Sequence, residues 1–228
     1  MNDFLLGSVF LIVTIGLFFA SKQIYRLLPN PFTLPIFLTS SLLIILLFIV
    51  DIPYQSYMLG GQWIDLFLGP IVVALALPLY RQLDLIKRYA RTIFIGIFAG
   101  STVGVVTGLI GAKILGFDQS LIKSVAAKSV TTPVSLSITE TAGGNLSFAA
   151  VFVMIAGISG AMFGPWIVRI CRIEHPVARG LGIGTASHAI GTAKALELGQ
   201  LEGAVSALSM TISAVIVSFL VPFFLMIF

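Results

Sequence analysis

Apolar residues run along this chain in long blocks separated by short polar loops, and the block lengths predict what they form. Six stretches, 4–21, 34–50, 66–80, 92–112, 146–168 and 203–228, contain no Asp, Glu, Lys, Arg or His and measure 15 to 26 residues. A hydrocarbon core about 30 Å thick needs roughly 20 helical residues at 1.5 Å each, so these stretches predict membrane-crossing helices, with 66–80 at the short limit. Two other segments break the pattern. In 123–145, KSVAAKSVTTPVSLSITETAGGN, Pro133 lacks a backbone donor and disfavours helix at Thr132, while Val134 to Thr139 alternates apolar and polar with the period of an extended chain. Gly143 and Gly144 then offer a turn. In 182–199, GIGTASHAIGTAKALELG, the residues Gly182, Gly184 and Gly191 each weaken a continuous helix by about 1 kcal/mol relative to alanine.

Composition fixes the solvent. With 58% hydrophobic and 10% charged residues, the chain departs far from the roughly 25% charge of soluble domains. The expectation is an all-α polytopic membrane protein of seven to eight spans, two of them broken or re-entrant helices. It is read as one transmembrane domain over 1–228, with peripheral N-terminal helices over 1–60 and a core over 61–228. The start carries Asp3 and no basic run before its apolar block, so it reads as a retained span rather than a secretory signal. The net charge of +4 lies in short loops, 22–30, 81–91 and 169–179, where it sets orientation and does not signal nucleic acid. That bias puts the N-terminus outside. A crossing 123–145 would push 169–179 outside, against the rule; a re-entrant 123–145 keeps it inside, with 180–199 crossing as the seventh span.

The chemistry lies in the two interrupted segments. Non-helical backbone survives at membrane depth only where protein or a water-filled cavity satisfies it. Paired breaks separated by an intact span are the pattern of secondary transporters, whose substrate site forms where the breaks meet. Thr131, Thr132 and Ser135 from the first segment and Thr185, Ser187 and His188 from the second are the candidate lining. Hydroxyls and freed N–H groups at a half-helix N-terminus suit a small anion. His188 and Glu140 are the candidates for taking a proton, and a titrating His188 predicts transport that varies between about pH 5 and 8. Lys194 and Glu197, three apart, are placed to pair near an interface. Pro133, Gly143, Gly144, Gly182, Gly184 and Gly191 are the expected helix breaks.

Enzymatic readings find little support. Ser187 and His188 are adjacent, so on a helix they point about 100° apart and do not make a nucleophile–base pair. No GxxxxGK[ST] or GxGxxG pattern is present, and the single cysteine, Cys171, excludes an intramolecular disulfide and a cysteine metal cluster. No catalytic residue, metal or cofactor is expected.

Three motifs, Lys128-Ser-Val-Thr-Thr-Pro133, Glu140-Thr-Ala-Gly-Gly144 and Ala178-Arg-Gly-Leu-Gly-Ile-Gly-Thr-Ala-Ser-His-Ala-Ile-Gly-Thr-Ala-Lys-Ala-Leu-Glu197, closely resemble the LrgB/CidB family of bacterial inner-membrane proteins over roughly residues 60–225. The resemblance implies secondary transport of small monocarboxylates of the glycolate, glycerate or pyruvate class, since the family includes the plastidial glycolate/glycerate translocator. It implies, as the rival function, a holin- or antiholin-like protein that modulates murein hydrolase export or activity. It also implies a small LrgA/CidA-like membrane partner and distant likeness to cation/proton antiporter and bile-acid-transporter folds; in the lipid bilayer the chain is open to being a monomer or a homo-oligomer. Paired aspartates are missing from the broken segments, which argues against sodium coupling.

Overall fold

The computed structural model describes residues 3–227, without the side chains of Leu68, Val72, Pro78 and Leu79. It is 85% helical with no strand among the described residues, which is the all-α class the apolar blocks predict. In chain order the helices are α1 (Asp3–Leu27), α2 (Pro35–Ile49), α3 (Tyr54–Asp65), α4 (Leu68–Ala74), α5 (Ala76–Arg81), α6 (Leu83–Arg88), α7 (Ala90–Ile114), α8 (Gln119–Val125), α9 (Thr132–Ala142), α10 (Leu146–Ile170), α11 (Pro176–Leu198) and α12 (Gln200–Leu225). Four of them, α1, α7, α10 and α12, are long and apolar enough to cross a membrane.

The expected span over 66–80 is not one helix. It is divided between α4 and α5, with joints at 66–67 and 75. The cause is covalent: Pro70 and Pro78 cannot donate to the carbonyls of Leu66 and Ala74, four residues earlier, and the helix parts at those two places.

The chain forms two compact units, Met1–Ala74 and Leu75–Phe228. In the first, α1 and α3 cross at their glycines. A methyl placed on Gly7 would lie 2.6 Å from the Leu59 carbonyl oxygen, and one on Gly60 would collide with the Gly7 carbonyl. Backbones approach this closely only where side chains are absent, the usual device of helix pairs in lipid. Beside the crossing, Phe10 and Tyr57 meet edge to face at 5.9 Å.

The second unit is built around α7, α10 and α12. One end of its core joins Val105, Leu109, Ile122, Val130, Val217 and Val221; the other joins Ile93, Ile97, Val177, Ala204 and Val205. Low-numbered residues of α7 therefore pack with low-numbered residues of α12, and high with high, so the two helices run parallel. Tyr89 and His175 touch at 5.3 Å, which brings the basic loops 81–91 and 169–179 to one side of the unit.

Candidate functional site

Between these helices sit the two interrupted segments, and each is a hairpin. The first leaves α8 and returns to it: Ser124 Oγ accepts from the Asn145 backbone N–H at 2.8 Å while donating to Ser120 O at 2.7 Å. Residues 124 and 145 thus lie together, and the chain between them runs out through an irregular turn at 126–131 and back along α9. A segment whose ends meet is a hairpin, the shape that belongs to the re-entrant alternative of the two considered.

Its local chemistry corrects two sequence expectations. Residues 134–139 are helical and not extended. Pro133 stands in the first turn of α9, where its missing N–H breaks no helical bond and its fixed φ favours the helix, so it starts a helix after the break. The helix stops at Gly143 (φ 72°), where the N–H groups of Gly143 and Gly144 close on Glu140 O at 3.1 Å and Thr139 O at 2.9 Å. Those two glycines form the turn expected of them.

The second hairpin is hidden inside α11. At His188 the backbone takes φ 43° and ψ −137° and reverses. The reversal is visible in the neighbours. A methyl on Gly184 would lie 2.8 Å from Ser206 Oγ, and Thr192 Oγ1 lies 2.9 Å from the same oxygen, although a straight helix would hold Gly184 and Thr192 about 12 Å apart. Residue 180 meets Glu202, and Leu196 meets Gly203. The arms 176–187 and 189–198 therefore run in opposite directions, and 180–199, expected as a crossing, comes back to where it began.

The three glycines expected to open this segment do other work. Gly184 lets the first arm lie on the Ser206 backbone, as Gly180 does on Glu202, and Gly191 lets the second arm fold against Ser187. Gly182 has open space around it. None of the three is the break; the break is at His188, a residue that pays for its positive φ by anchoring. Its Nε2 lies 3.0 Å from Val153 O on α10, and since a carbonyl only accepts, Nε2 carries the hydrogen. Gly157 and Gly160 of α10 leave the room in which the His188 ring and the Ser187 side chain sit.

Along α7 a glycine recurs every fourth residue, and the hairpins lie on that stripe in sequence. Methyls on Gly96 and Gly100 would come 2.7 Å and 3.0 Å from Leu181 and Thr185 of the second hairpin. On Gly104 and Gly108 they would come 3.2 Å and 2.8 Å from Ser129 and Lys128 of the first. One helical turn of α7, about 6 Å, thus separates the two tips, and the middle residue of α7, Thr102, lies between Gly100 and Gly104. On the α12 side the Ser101 and Ser213 hydroxyls bond at 2.9 Å.

The candidate lining residues are distributed as follows. Thr131, Thr132 and Ser135 open α9 at the first tip; Thr185, Ser187 and His188 form the second, all three buried. Ser135 Oγ, Thr139 Oγ1 and Ser209 Oγ are buried with no hydrogen-bond partner, and such orphaned hydroxyls ask for a water, ion or ligand. Thr131 caps α9 without a side-chain bond to its N–H groups. Glu140 is exposed in the last turn of α9, away from the tip. Lys194 pairs with Glu197 at 2.6 Å, and Arg179 approaches Glu202 at 3.9 Å, both at the base of the second hairpin.

Sequence reasoning passed over Lys128. Its Nζ reaches from the first tip to donate to Gly104 O at 2.7 Å. In the sequence it stands only as the first residue of the motif Lys128-Ser-Val-Thr-Thr-Pro133, and nothing there marks its depth.

The model of the LrgB-like family matches residues 14–227. YxaC of Bacillus subtilis is 40% identical over 222 residues, 97% of this chain and 96% of its own. Holin-like protein CidB of Staphylococcus epidermidis is 35% identical, and that of Staphylococcus aureus 34% identical, each over 228 residues and the full length of both chains. No solved structure matches the chain.

Proposed function

The chain belongs to the LrgB-like family, and on that premise we propose that it is a bacterial inner-membrane carrier of small monocarboxylates of the glycolate, glycerate or pyruvate class. The observation that carries the reading is that the two hairpin tips rest on neighbouring glycines of α7, Gly100 and Gly104, on either side of its middle residue, with the bases of the hairpins at opposite ends of the unit. Helix α7 followed by the first hairpin, and α10 followed by the second, then form two repeats of inverted topology, the architecture in which a site at the repeat interface is exposed to one side at a time. With both hairpins re-entrant and both basic loops inside, the second unit crosses by α7, α10 and α12. Of the two proton candidates, His188 is the better placed, since it sits at a tip while Glu140 sits at a base.

The relatives named holin-like protein CidB favour a second reading, and favour it more directly than they favour carriage of an acid. In that reading the protein forms or regulates a pore that controls murein hydrolase export or activity, beside a small LrgA/CidA-like partner. Proteoliposomes separate the two. A carrier loaded with unlabelled acid accumulates labelled glycolate, glycerate or pyruvate by counterflow, saturates, and retains an entrapped fluorescent dye. Dye release without saturable counterflow would decide for the pore.

A further inference from the structure

We propose that Lys128, at the tip of the first hairpin, is the residue that binds the negative charge of the transported acid. The proposal rests on the carrier reading and names the charge-recognising group of its site.

Lys128 belongs to the irregular turn 126–131, and Gly104, whose carbonyl takes its proton donor at 2.7 Å, stands two residues from the middle of α7. The side chain lies in a channel made for it: a methyl on Gly108 would stand 2.8 Å from Nζ. An ammonium at such depth is costly unless it faces a partner or a cavity. A single carbonyl dipole answers one of its three donors. The ion pairs of the described residues, Arg179–Glu202 and Lys194–Glu197, lie at the second hairpin's base and leave Lys128 without a carboxylate. The missing counter-charge is then a mobile one.

The surroundings suit a carboxylate. Ser129 brings its hydroxyl over Gly104, while Thr185 lays its methyl over Gly100 one turn away, its own hydroxyl donating to Leu181 O at 2.8 Å. The first turn of α9 points its uncapped N–H groups toward the tip, and Ser135 in that turn is fully buried with an unpartnered hydroxyl. One ammonium with neutral donors around it matches one negative charge, which favours a monocarboxylate over a dicarboxylate or a neutral amide. Lysine presents that charge as a compact point on a flexible stem, so it can leave Gly104 O for the acid and return.

Titration calorimetry on the detergent-purified full chain tests the assignment with glycolate, glycerate and pyruvate as probes and glycolamide as the uncharged counterpart of glycolate. The wild type is expected to bind at least one acid and to reject the amide. Lys128→Gln is expected to weaken acid binding at least tenfold and to lose the preference over the amide, while Lys128→Arg, which keeps the charge, retains most of the affinity. Acid binding by Lys128→Gln equal to that of the wild type, or no binding of any of the three acids by the wild type, overturns the proposal. A measurement on the wild type alone covers the case in which the variants do not fold: the bound acid protects Lys128 from reductive methylation, read by mass spectrometry, and equal labelling with and without acid counts against the assignment. Binding that depends on Lys128 without counterflow would remove the carrier and keep the assignment; counterflow with a Lys128→Gln chain that binds normally would do the reverse.

Discussion

Gly184→Ala destabilises the folded chain by about 1–3 kcal/mol, the usual cost of forcing a carbon into a filled contact, whereas Gly182→Ala, two residues away, is neutral or stabilising by up to about 1 kcal/mol. The difference follows from what each methyl meets. At Gly184 it runs into the Ser206 carbonyl and lies 2.7 Å from Ser206 Cα, backbone that cannot rotate aside. At Gly182 it meets nothing within 4 Å, and alanine only improves helix propensity. Thermal unfolding of the two variants in the same detergent checks the pair. Equal effects would mean that the first arm of the second hairpin does not lie on α12 as described.

His188→Ala is expected to cut transport more than tenfold while the protein still reaches the membrane. The alanine keeps the unfavourable backbone at φ 43°, ψ −137°, a strain of order 1–3 kcal/mol, and loses the bond to Val153 O that offsets it. His188→Gly separates the two effects. It relieves the strain but forfeits a hydrogen bond worth about 0.5–1.5 kcal/mol, so its stability stays near that of the wild type. Transport by the glycine variant nevertheless falls, because nothing then fixes the tip to α10. Unfolding temperatures and initial counterflow rates, measured together, check both. Full activity in His188→Gly would show that the anchor is dispensable.

The long helices were legible because lipid leaves a simple mark: α1, α7, α10 and α12 each contain a charge-free apolar run. The interruptions were legible in place but not in form. Val134 to Thr139 alternates, and over six residues alternation cannot be told from helix, because the helical spacing of four is itself an even number. In the structure Val134 and Ile138 pack on the core while Ser135 and Thr139 are buried, two i,i+4 pairs of one helix. The reversal in α11 was hidden for another reason. A positive φ is usually assigned to glycine, three glycines lie nearby, and the chain turned at His188 instead, using its glycines for close packing. The hydroxyl residues of the tips, Thr131, Thr132 and Ser135 in one and Thr185 and Ser187 in the other, carry their own signal, clustered Ser and Thr beside a break. Lys128 carried none, since its depth depends on a tertiary contact with Gly104.

The claim on which the rest depends is that the two hairpin tips meet. Cysteines at Ser129 and Thr185, in a chain whose lone cysteine is changed by Cys171→Ser, place one thiol on each tip. A protease site inserted in the 171–175 loop lets cleaved fragments stay together only if they are cross-linked. The account predicts that a short bifunctional maleimide joins these two cysteines within one chain and stops acid exchange, as readily as oxidation joins a Ser101→Cys, Ser213→Cys control whose native hydroxyls stand 2.9 Å apart. A control pair that links while the tip pair separates after cleavage would contradict it.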